Sequence, residues 1–313
     1  MLDVTDFAFR QRLSARGARP DVFYTEFVSA DGLCNEIARP KLLRELYFEK
    51  NEHPIVAQIF GSKPENIEKA AKLVAELGFD GVEINMGCPD ATIIKQGAGA
   101  ALIRTPELAK EIILAAKRGA GDVPVSVKTR LGFSRLETES WAKTLLETKP
   151  AALTFHLRTK KEMSKAPAHW EEIRKIVQLA AKTDTLIIGN GDITSLAEAR
   201  EKASDYGLAG TMIGRGFFAD PWLLAEREVK IEEKIREAIK HTEMFAKYYL
   251  SGGTNDKLFS GHTKSFALMK KHYSAYFRGF RESASWRKQL MEAGSPQEAI
   301  DVMNSFSKPD SLL

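Results

Sequence analysis

The amino-acid sequence predicts an α/β protein: a (β/α)8 TIM barrel whose first strand is truncated, followed by an all-helical C-terminal domain. Up to about Glu226, short β-branched runs alternate with stretches of helical periodicity, the pattern of βα units around a parallel sheet. The runs also end in polar residues, as expected of a barrel whose reactive groups gather at the carboxyl ends of its strands. After Glu226 the strand signals stop and apolar residues recur only at helical spacing.

Taken in order, the strands are Val22 to Phe27, Ile55 to Ile59, Gly81 to Asn85, Val125 to Thr129, Ala152 to His156, Leu186 to Asn190 and Thr211 to Gly214. The helices between them carry start and stop signals. Ser62 and Glu65 have the spacing of a capping box beside Pro64; Ile67, Ala70, Val74 and Leu77 follow at helical spacing, and Gly78 closes the helix. Thr105-Pro106 opens another helix, and Ser195 with Glu198 repeats the capping box after a Gly-Asp loop. Seven strands are visible where a barrel needs eight, so Met1 and Leu2 are read as the tail of a first strand that begins earlier. An open seven-stranded sheet is the alternative. Beyond the charged boundary from Glu226 to Glu233, Val229, Ile235, Ala238, Ile239, Thr242 and Phe245, then Phe266, Met269, Tyr273 and Tyr276, mark helices. The expected domains are therefore residues 1–226 and 227–313.

With 313 residues, 43% hydrophobic, 28% charged, 12 prolines and 22 glycines, the chain is a soluble globular protein rather than a disordered or fibrous one. It has no run of about 18 apolar residues and no secretory leader pattern in its first ten. A cytoplasmic location and no membrane partner are expected. Cys34 and Cys88, 54 residues apart, make neither a disulfide framework nor a zinc spacing, so no metal is expected and any cysteine role is single-residue chemistry. Net charge is +4, but the segment from Lys257 to Lys288 holds eight basic residues against Glu282 alone and carries +7, leaving −3 for the remainder. A basic face on a mildly acidic body suits a polyanionic partner.

The strand ends read Gln58; Asn85, followed by Met86-Gly87-Cys88-Pro89; Lys128 with Arg130; His156 with Arg158; Asn190-Gly191-Asp192; and Gly214-Arg215. Packing alone does not explain apolar strands that end this way. The late turns suit a phosphate, since Gly191 and Gly214 allow close backbone approach and Arg215 offers a fork of donors. Gly214 to Ala219 also matches a Gly-x-Gly-x-x-Ala dinucleotide pattern, but Pro221-Trp222 and the lack of a later strand deny it a βαβ context. Lys128 is costly to bury without an anionic partner. The electron-rich edge of a reduced flavin is one such partner, with Gln58 at the same edge; Glu83 or Glu26 on a neighbouring strand is another. Cys88, on a glycine-containing loop before Pro89, is mostly protonated at neutral pH if its thiol pKa is about 8.5, so it can act as a general acid or as a nucleophile, or be inert and buried as Cys34 is expected to be.

In order along the chain, Val4-Thr5-Asp6 through Arg10, Thr25-Glu26, Gln58-Ile59-Phe60-Gly61, Asn85-Met86-Gly87-Cys88-Pro89, Lys128-Thr129-Arg130-Leu131-Gly132, His156-Leu157-Arg158-Thr159, Gly189-Asn190-Gly191-Asp192 and Met212-Ile213-Gly214-Arg215-Gly216 resemble the tRNA-dihydrouridine synthase family. Asn-Met-Gly-Cys-Pro is the most specific of these motifs. The resemblance implies an FMN-dependent oxidoreductase that reduces uridine to 5,6-dihydrouridine in tRNA, with NADPH as reductant. In that family hydride goes from flavin to C6 and the cysteine protonates C5, so Cys88 is the implied catalytic acid. Met1, Gln58, Lys128, His156, Asn190, Gly191, Asp192, Gly214 and Arg215 are the implied FMN contacts, and Asn85 and Arg158 face the uracil. The family's first strand and the Ala-Pro before its methionine have no counterpart here.

The basic segment agrees with an RNA partner, because a base must leave the tRNA fold to reach a barrel mouth. If residues 258–277 form one helix, Lys264, Lys271 and Arg278 line one face, and Phe266, Met269 and Tyr273 another. Residues 1–226 are then the FMN-binding barrel and 227–313 the tRNA-binding domain of a monomer. Two other readings compete: a flavoenzyme of a free pyrimidine such as dihydroorotate, and a tRNA-binding protein without flavin chemistry.

Overall fold

In a computed structural model, the structure describes residues 2–15, 19–250 and 264–306. The chain forms two compact units: Asp21–Leu46 with His53–Arg215, and Met1–Pro20 with Tyr47–Glu52 and Gly216–Leu313. The boundary expected at Glu226 thus lies at Arg215, and the N-terminal helix Phe7–Ser14 groups with the C-terminal helices. Its Phe7 and Ala8 are buried in the same apolar cluster as Trp222, Phe245 and Tyr249. A linear scan for strand and helix periods does not register that long-range pairing.

The first unit is a parallel sheet of eight strand segments: β1 (Phe23–Tyr24), β2 (Val28–Ser29), β3 (Ile55–Phe60), β4 (Gly81–Met86), β5 (Val125–Gly132), β6 (Ala152–Thr159), β7 (Leu186–Asn190) and β8 (Gly210–Met212). The order is β1-β3-β4-β5-β6-β7-β8, with β2 also on β3. Helices lie between successive strands from β3 to β8, and the result is a curled, TIM-barrel-like α/β fold. No pairing joins β8 to β1 among the described residues. The run expected as one strand from Val22 to Phe27 is broken after Tyr24, and at the break the Thr25 hydroxyl accepts the Gln58 N–H at 3.1 Å. Leu2, expected to be the tail of a first strand, lies in a turn and is 54% exposed; Met1 lies outside the described residues.

The crossover helices follow most of their local signals. Pro64–Glu76 buries Ile67, Ala70, Ala71 and Val74, each large aliphatic side chain contributing roughly 1.5–3 kcal/mol. The expected capping box at its start does not form: the N-cap is Lys63, Pro64 begins the first turn, and the Ser62 hydroxyl donates to the Gln96 carbonyl at 2.7 Å. Leu77, expected on the buried face, is 41% exposed. Gly78 takes φ +85° and ends the helix as expected. At the later helix Ser195 does cap, accepting the Glu198 N–H at 3.1 Å, while Glu198 reaches back to Thr194.

In the second unit Phe7–Ser14, Ile231–Tyr249, Ala267–Tyr276, Ser283–Glu292 and Pro296–Phe306 share an aromatic core. Trp286 stacks on Phe306 with ring centroids 4.0 Å apart. Two buried polar pairs lie here: Arg10 Nε donates to Glu52 at 2.6 Å, and the Thr242 and Tyr273 hydroxyls lie 2.8 Å apart. No helix among the described residues is long and apolar enough to cross a membrane.

Candidate active site

Because side chains alternate along a strand, in-register parallel pairing decides which ones meet. The register pairs Gln58 with Glu83, Asn85 with Lys128, Lys128 with Thr154, Arg130 with His156, and His156 with Asn190. These positions share one face of the curled sheet. The alternate positions Ala57, Ile59, Val82, Ile84, Val127, Leu153 and Phe155 are buried and apolar. The polar strand ends read from the sequence are therefore one contiguous surface.

At its centre is a hydrogen-bonded wire. Gln58 Nε2 donates to the Glu83 carboxylate, Asn85 Nδ2 donates to Gln58 Oε1 at 2.9 Å, and Asn85 Oδ1 accepts the backbone N–H groups of Gly87 at 3.0 Å and Cys88 at 2.9 Å. Glu83 is fully buried, and burial pushes its carboxyl up to about 7, partly offset by the charge of Lys128 and by the Gln58 amide and Thr154 hydroxyl. Lys128 Nζ donates to Asn190 Oδ1 at 3.3 Å rather than to a carboxylate. Burial lowers its ammonium to about 8, with the charge of Glu83 opposing the shift. Of the two carboxylates considered for Lys128, Glu83 is thus the one that acts on it, as a nearby charge.

The Cys88 loop is pinned on several sides. Arg130 Nε donates to the Gly87 carbonyl at 2.7 Å while its Nη1 holds the carbonyls of Thr159 and Met163 at 3.1 and 2.8 Å. Ala100 N donates to the Cys88 carbonyl at 3.0 Å, and Gly99 takes φ +60° where a Cβ would meet that oxygen at 2.8 Å. Only glycine fits so close an approach. Burial pushes the Cys88 thiol up; the Asp90 charge adds to this, and an Asp90 backbone hydrogen bond with the charges of Arg130 and Lys128 opposes it. The net result is a protonated thiol at neutral pH. Cys34, also free and partly exposed, bonds weakly to the Asn66 carbonyl at 3.7 Å.

On the next strands, burial and the charges of Lys128, Arg130, Arg158 and Arg215 drive His156 down to about 2. Its ring is therefore neutral. Nε2 lies 3.1 Å from Arg158 Nη1, which can only donate, so Nε2 accepts and Nδ1 carries the proton. Arg158, 2% exposed, also donates to the Ala166 carbonyl at 2.5 Å and to Asp192. Asp192, at φ +56°, accepts the Ala168 N–H at 3.0 Å and Arg215 Nη2 at 2.9 Å. Burial would raise its carboxyl, but these hydrogen bonds and the two guanidinium charges hold it below the usual range. Gly191 takes φ +143°, and a Cβ there would meet the Ala168 Cβ at 2.8 Å. Gly214 lies just before Arg215, which begins the short helix Arg215–Ala219 and is 58% exposed at its side chain.

The structure thus forms hydrogen-bonded groups of Gln58 with Asn85 and the Cys88 N–H, Lys128 with Asn190, and His156 with Arg158, Asp192 and Arg215, with Gly191 beside Asn190, and strand register sets Asn85 beside Lys128 and His156 beside Asn190. It also adds residues not singled out as site residues from the sequence. Arg130 clamps the cysteine loop, and Glu83 anchors the wire. Trp170 donates to the Gly191 carbonyl at 3.1 Å. Glu83 had a usable signal, a carboxylate two residues before Asn85 in an otherwise apolar strand; Trp170 had none.

The expected basic helix face needs correction. Residues 258–263 lie outside the described residues, and the helix is Ala267–Tyr276. Lys264 precedes it, with its N–H on the Tyr249 carbonyl at 3.1 Å and its Nζ 4.7 Å from the Tyr249 ring centre. Arg278 follows the C-cap Phe277, beside Gly279 at φ +84°. Lys271 alone of the three lies on the helix, and both Lys271 and Arg278 are exposed.

The profile of the family described as Dihydrouridine synthase (Dus) matches residues 1–309. A Staphylococcus aureus protein named "Probable tRNA-dihydrouridine synthase" is 40% identical over 311 residues, which cover 98% of this chain and 91% of that protein. A Bacillus subtilis protein named "Probable tRNA-dihydrouridine synthase 2" is 39% identical, covering 98% and 92%. Among solved structures, "Morphinone reductase" superposes with a TM-score of 0.51 at 14% identity over 72% of this chain and 81% of its own, a likeness of fold.

Proposed function

The chain belongs to the dihydrouridine synthase family, and from that premise we propose that it reduces uridine to 5,6-dihydrouridine in tRNA, with FMN as its flavin, NADPH as reductant and Cys88 as proton donor to C5. One observation carries the reading: Cys88 stands on a loop that Arg130 and the Asn85 side-chain carbonyl pin in place, where burial pushes its thiol up and the charges of Arg130 and Lys128 act on it. An acid poised above neutral pH can deliver a proton to a carbon that gains electron density.

The residues fit the cofactor. Four cations act on a neutral His156, so the strand-end face is electropositive and suits a group with a phosphate and an electron-rich edge. Bound, reduced FMN would supply the hydride delivered to C6. Lys128 and Gln58 would hold its pyrimidine edge, His156 would offer its Nδ1–H, and Asn190, Gly191, Gly214 and Arg215 would take the phosphate end, with Met1 a further contact. Asp192, already engaged by Arg158 and Arg215, would orient Arg215 rather than meet phosphate directly. Asn85 keeps one Nδ2–H free of the wire for a uracil carbonyl. Arg158 has three of its five N–H groups committed, so its role toward uracil would fall to those that remain.

The second unit supplies the tRNA contact in this proposal. Lys271, Arg278, Arg281 and Lys288 are exposed, and with Lys264 they would meet phosphates. The test is a visible absorbance spectrum of the purified protein. Flavin bands bleached by NADPH and restored by tRNA lacking dihydrouridine are expected. Bands restored equally by a free pyrimidine would favour the small-substrate reading, and protein that stays colourless after FMN addition would overturn the proposal.

A further inference from the structure

Glu83 lies one layer below the reacting groups, and the function proposed above gives it no part. Its surroundings are unusual for a carboxylate. It is 0% exposed; one oxygen takes the Gln58 amide, and the other, Oε1, makes no hydrogen bond of ordinary geometry, although the buried and otherwise unpartnered Thr154 hydroxyl acts on the same carboxylate. No lysine or arginine forms an ion pair with it among the described residues; Lys128 acts on it only as a neighbouring charge. A group this costly to bury is kept for what it holds in place or is merely tolerated.

The wire has one permitted direction. At the loop end, the Gly87 and Cys88 N–H groups can only donate, so Asn85 must turn Oδ1 toward them and Nδ2 toward Gln58. Gln58 must then turn Oε1 toward Asn85 and Nε2 away from it, toward Glu83. A carboxylate oxygen is the acceptor that completes the series. Were it removed, the Gln58 amino group would be buried facing nothing, and turning the amide over would set donor against donor at Asn85. Even when Glu83 is protonated the series survives, because a proton on Oε1 leaves Oε2 an acceptor.

We infer that Glu83 is a positioning residue whose carboxyl oxygen fixes the orientation of Gln58 and Asn85 and, through Asn85, the backbone turn that presents Cys88. This inference rests on the proposed role of Cys88 for its functional meaning, but the geometry it predicts can be read without turnover. The oxygen matters here, not the charge. The substitution Glu83→Gln would keep a carbonyl acceptor for Gln58, whereas Glu83→Leu would fill the same space with none.

The test is the rate at which iodoacetamide alkylates Cys88 in the full-length protein as purified, followed by peptide mass spectrometry from about pH 6.5 to about pH 9.5, a span that brackets the usual thiol pKa. Release of the turn should relieve the burial that pushes the Cys88 thiol up. Glu83→Leu is therefore expected to speed alkylation at neutral pH by about tenfold, the change in thiolate fraction for one pKa unit. Glu83→Gln is expected to stay within about threefold of wild type. Should Glu83→Leu fail to fold, Gln58→Met cuts the same wire at its next link and should raise the rate similarly. Equal acceleration by Glu83→Gln and Glu83→Leu would show that charge rather than the oxygen acts, and would overturn the inference. Unchanged alkylation in Glu83→Leu, or in Gln58→Met, would overturn it as well. Formation of dihydrouridine by Cys88→Ala at the wild-type rate would instead sink the functional proposal and leave these alkylation results to stand alone.

Discussion

The two compact units bury polar groups in opposite ways. In the helical unit, the buried Arg10 meets Glu52 and the buried Thr242 meets Tyr273, while Lys271, Arg278 and Lys288 stay at the surface. In the strand unit Lys128, Glu83 and His156 sit inside, with burial driving each toward its neutral form. The first arrangement is that of a folded support, whose surface charges the proposed function assigns to an external partner. The second holds groups at a cost that stability alone does not repay, the pattern expected where a ligand or a reaction completes the site. Chemistry should therefore fail when strand-end residues change, and docking alone should weaken when helical-unit residues change.

The largest effect is expected at Cys88. Cys88→Ala should lower dihydrouridine formation by about 10²–10⁴-fold, the worth of a positioned general acid, with tRNA binding unchanged in a filter or gel-shift assay. A helical-unit substitution with the same loss would break the contrast between the units.

Next is Lys128→Met, which replaces a buried cation by an apolar side chain of similar length. Because burial lowers the Lys128 ammonium to about 8, its removal should stabilise the protein by on the order of 2 kcal/mol, read in urea unfolding. Flavin affinity should fall by about tenfold or more, equivalent to roughly 1.4 kcal/mol. A loss of both stability and flavin would mean that Lys128 is a structural ion and not a ligand for the cofactor.

His156 provides a pH signature. The folded protein holds its ring neutral, with the pKa lowered to about 2, whereas the unfolded chain takes up a proton below about pH 6.5. The unfolded state then binds more protons, so this residue makes stability fall as pH drops from about 6.5, by up to about 1.4 kcal/mol per pH unit. His156→Gln should flatten that slope in denaturation series at successive pH values. An unchanged slope would place the imidazole in a more solvated setting than the one described.

The smallest effect is expected from Lys271→Ala combined with Arg278→Ala. Each lost phosphate contact should reduce the dependence of log affinity for tRNA on log salt by about 0.7–0.9, with little change in turnover at saturating tRNA. A salt dependence equal to wild type would move the RNA surface elsewhere on the helical unit.

The sequence made the ring of strand ends readable because strand ends carry a period and a position: Gln58, Asn85, Lys128, His156 and Asn190 each close an apolar run, and parallel register brings them together. The parts it did not reveal depend on partners remote in the chain. Ser62 looked like a helix cap but donates to Gln96, 34 residues away, and Phe7–Ser14 looked like part of the strand domain until its aromatic face found the C-terminal core. The sevenfold spacing of Lys264, Lys271 and Arg278 suggested one helix face, yet the helix starts at Ala267 and ends at Tyr276. Periodicity says where a helix can run, and only the packing of Met269, Tyr273 and Tyr276 decides where it does. Glu83 stood out as a carboxylate in an otherwise apolar strand, but the wire it anchors was hidden, since that depends on Gln58, 25 residues away.

The most direct test of the central claim is nucleoside mass spectrometry of unmodified tRNA incubated with the protein, FMN and NADPH, run in parallel for wild type and Cys88→Ala. Uridine that has gained two hydrogens at a defined position is expected with wild type, and almost none with the variant. Equal product from both would contradict the claim, as would wild-type protein that carries reduced flavin and binds tRNA yet forms no dihydrouridine.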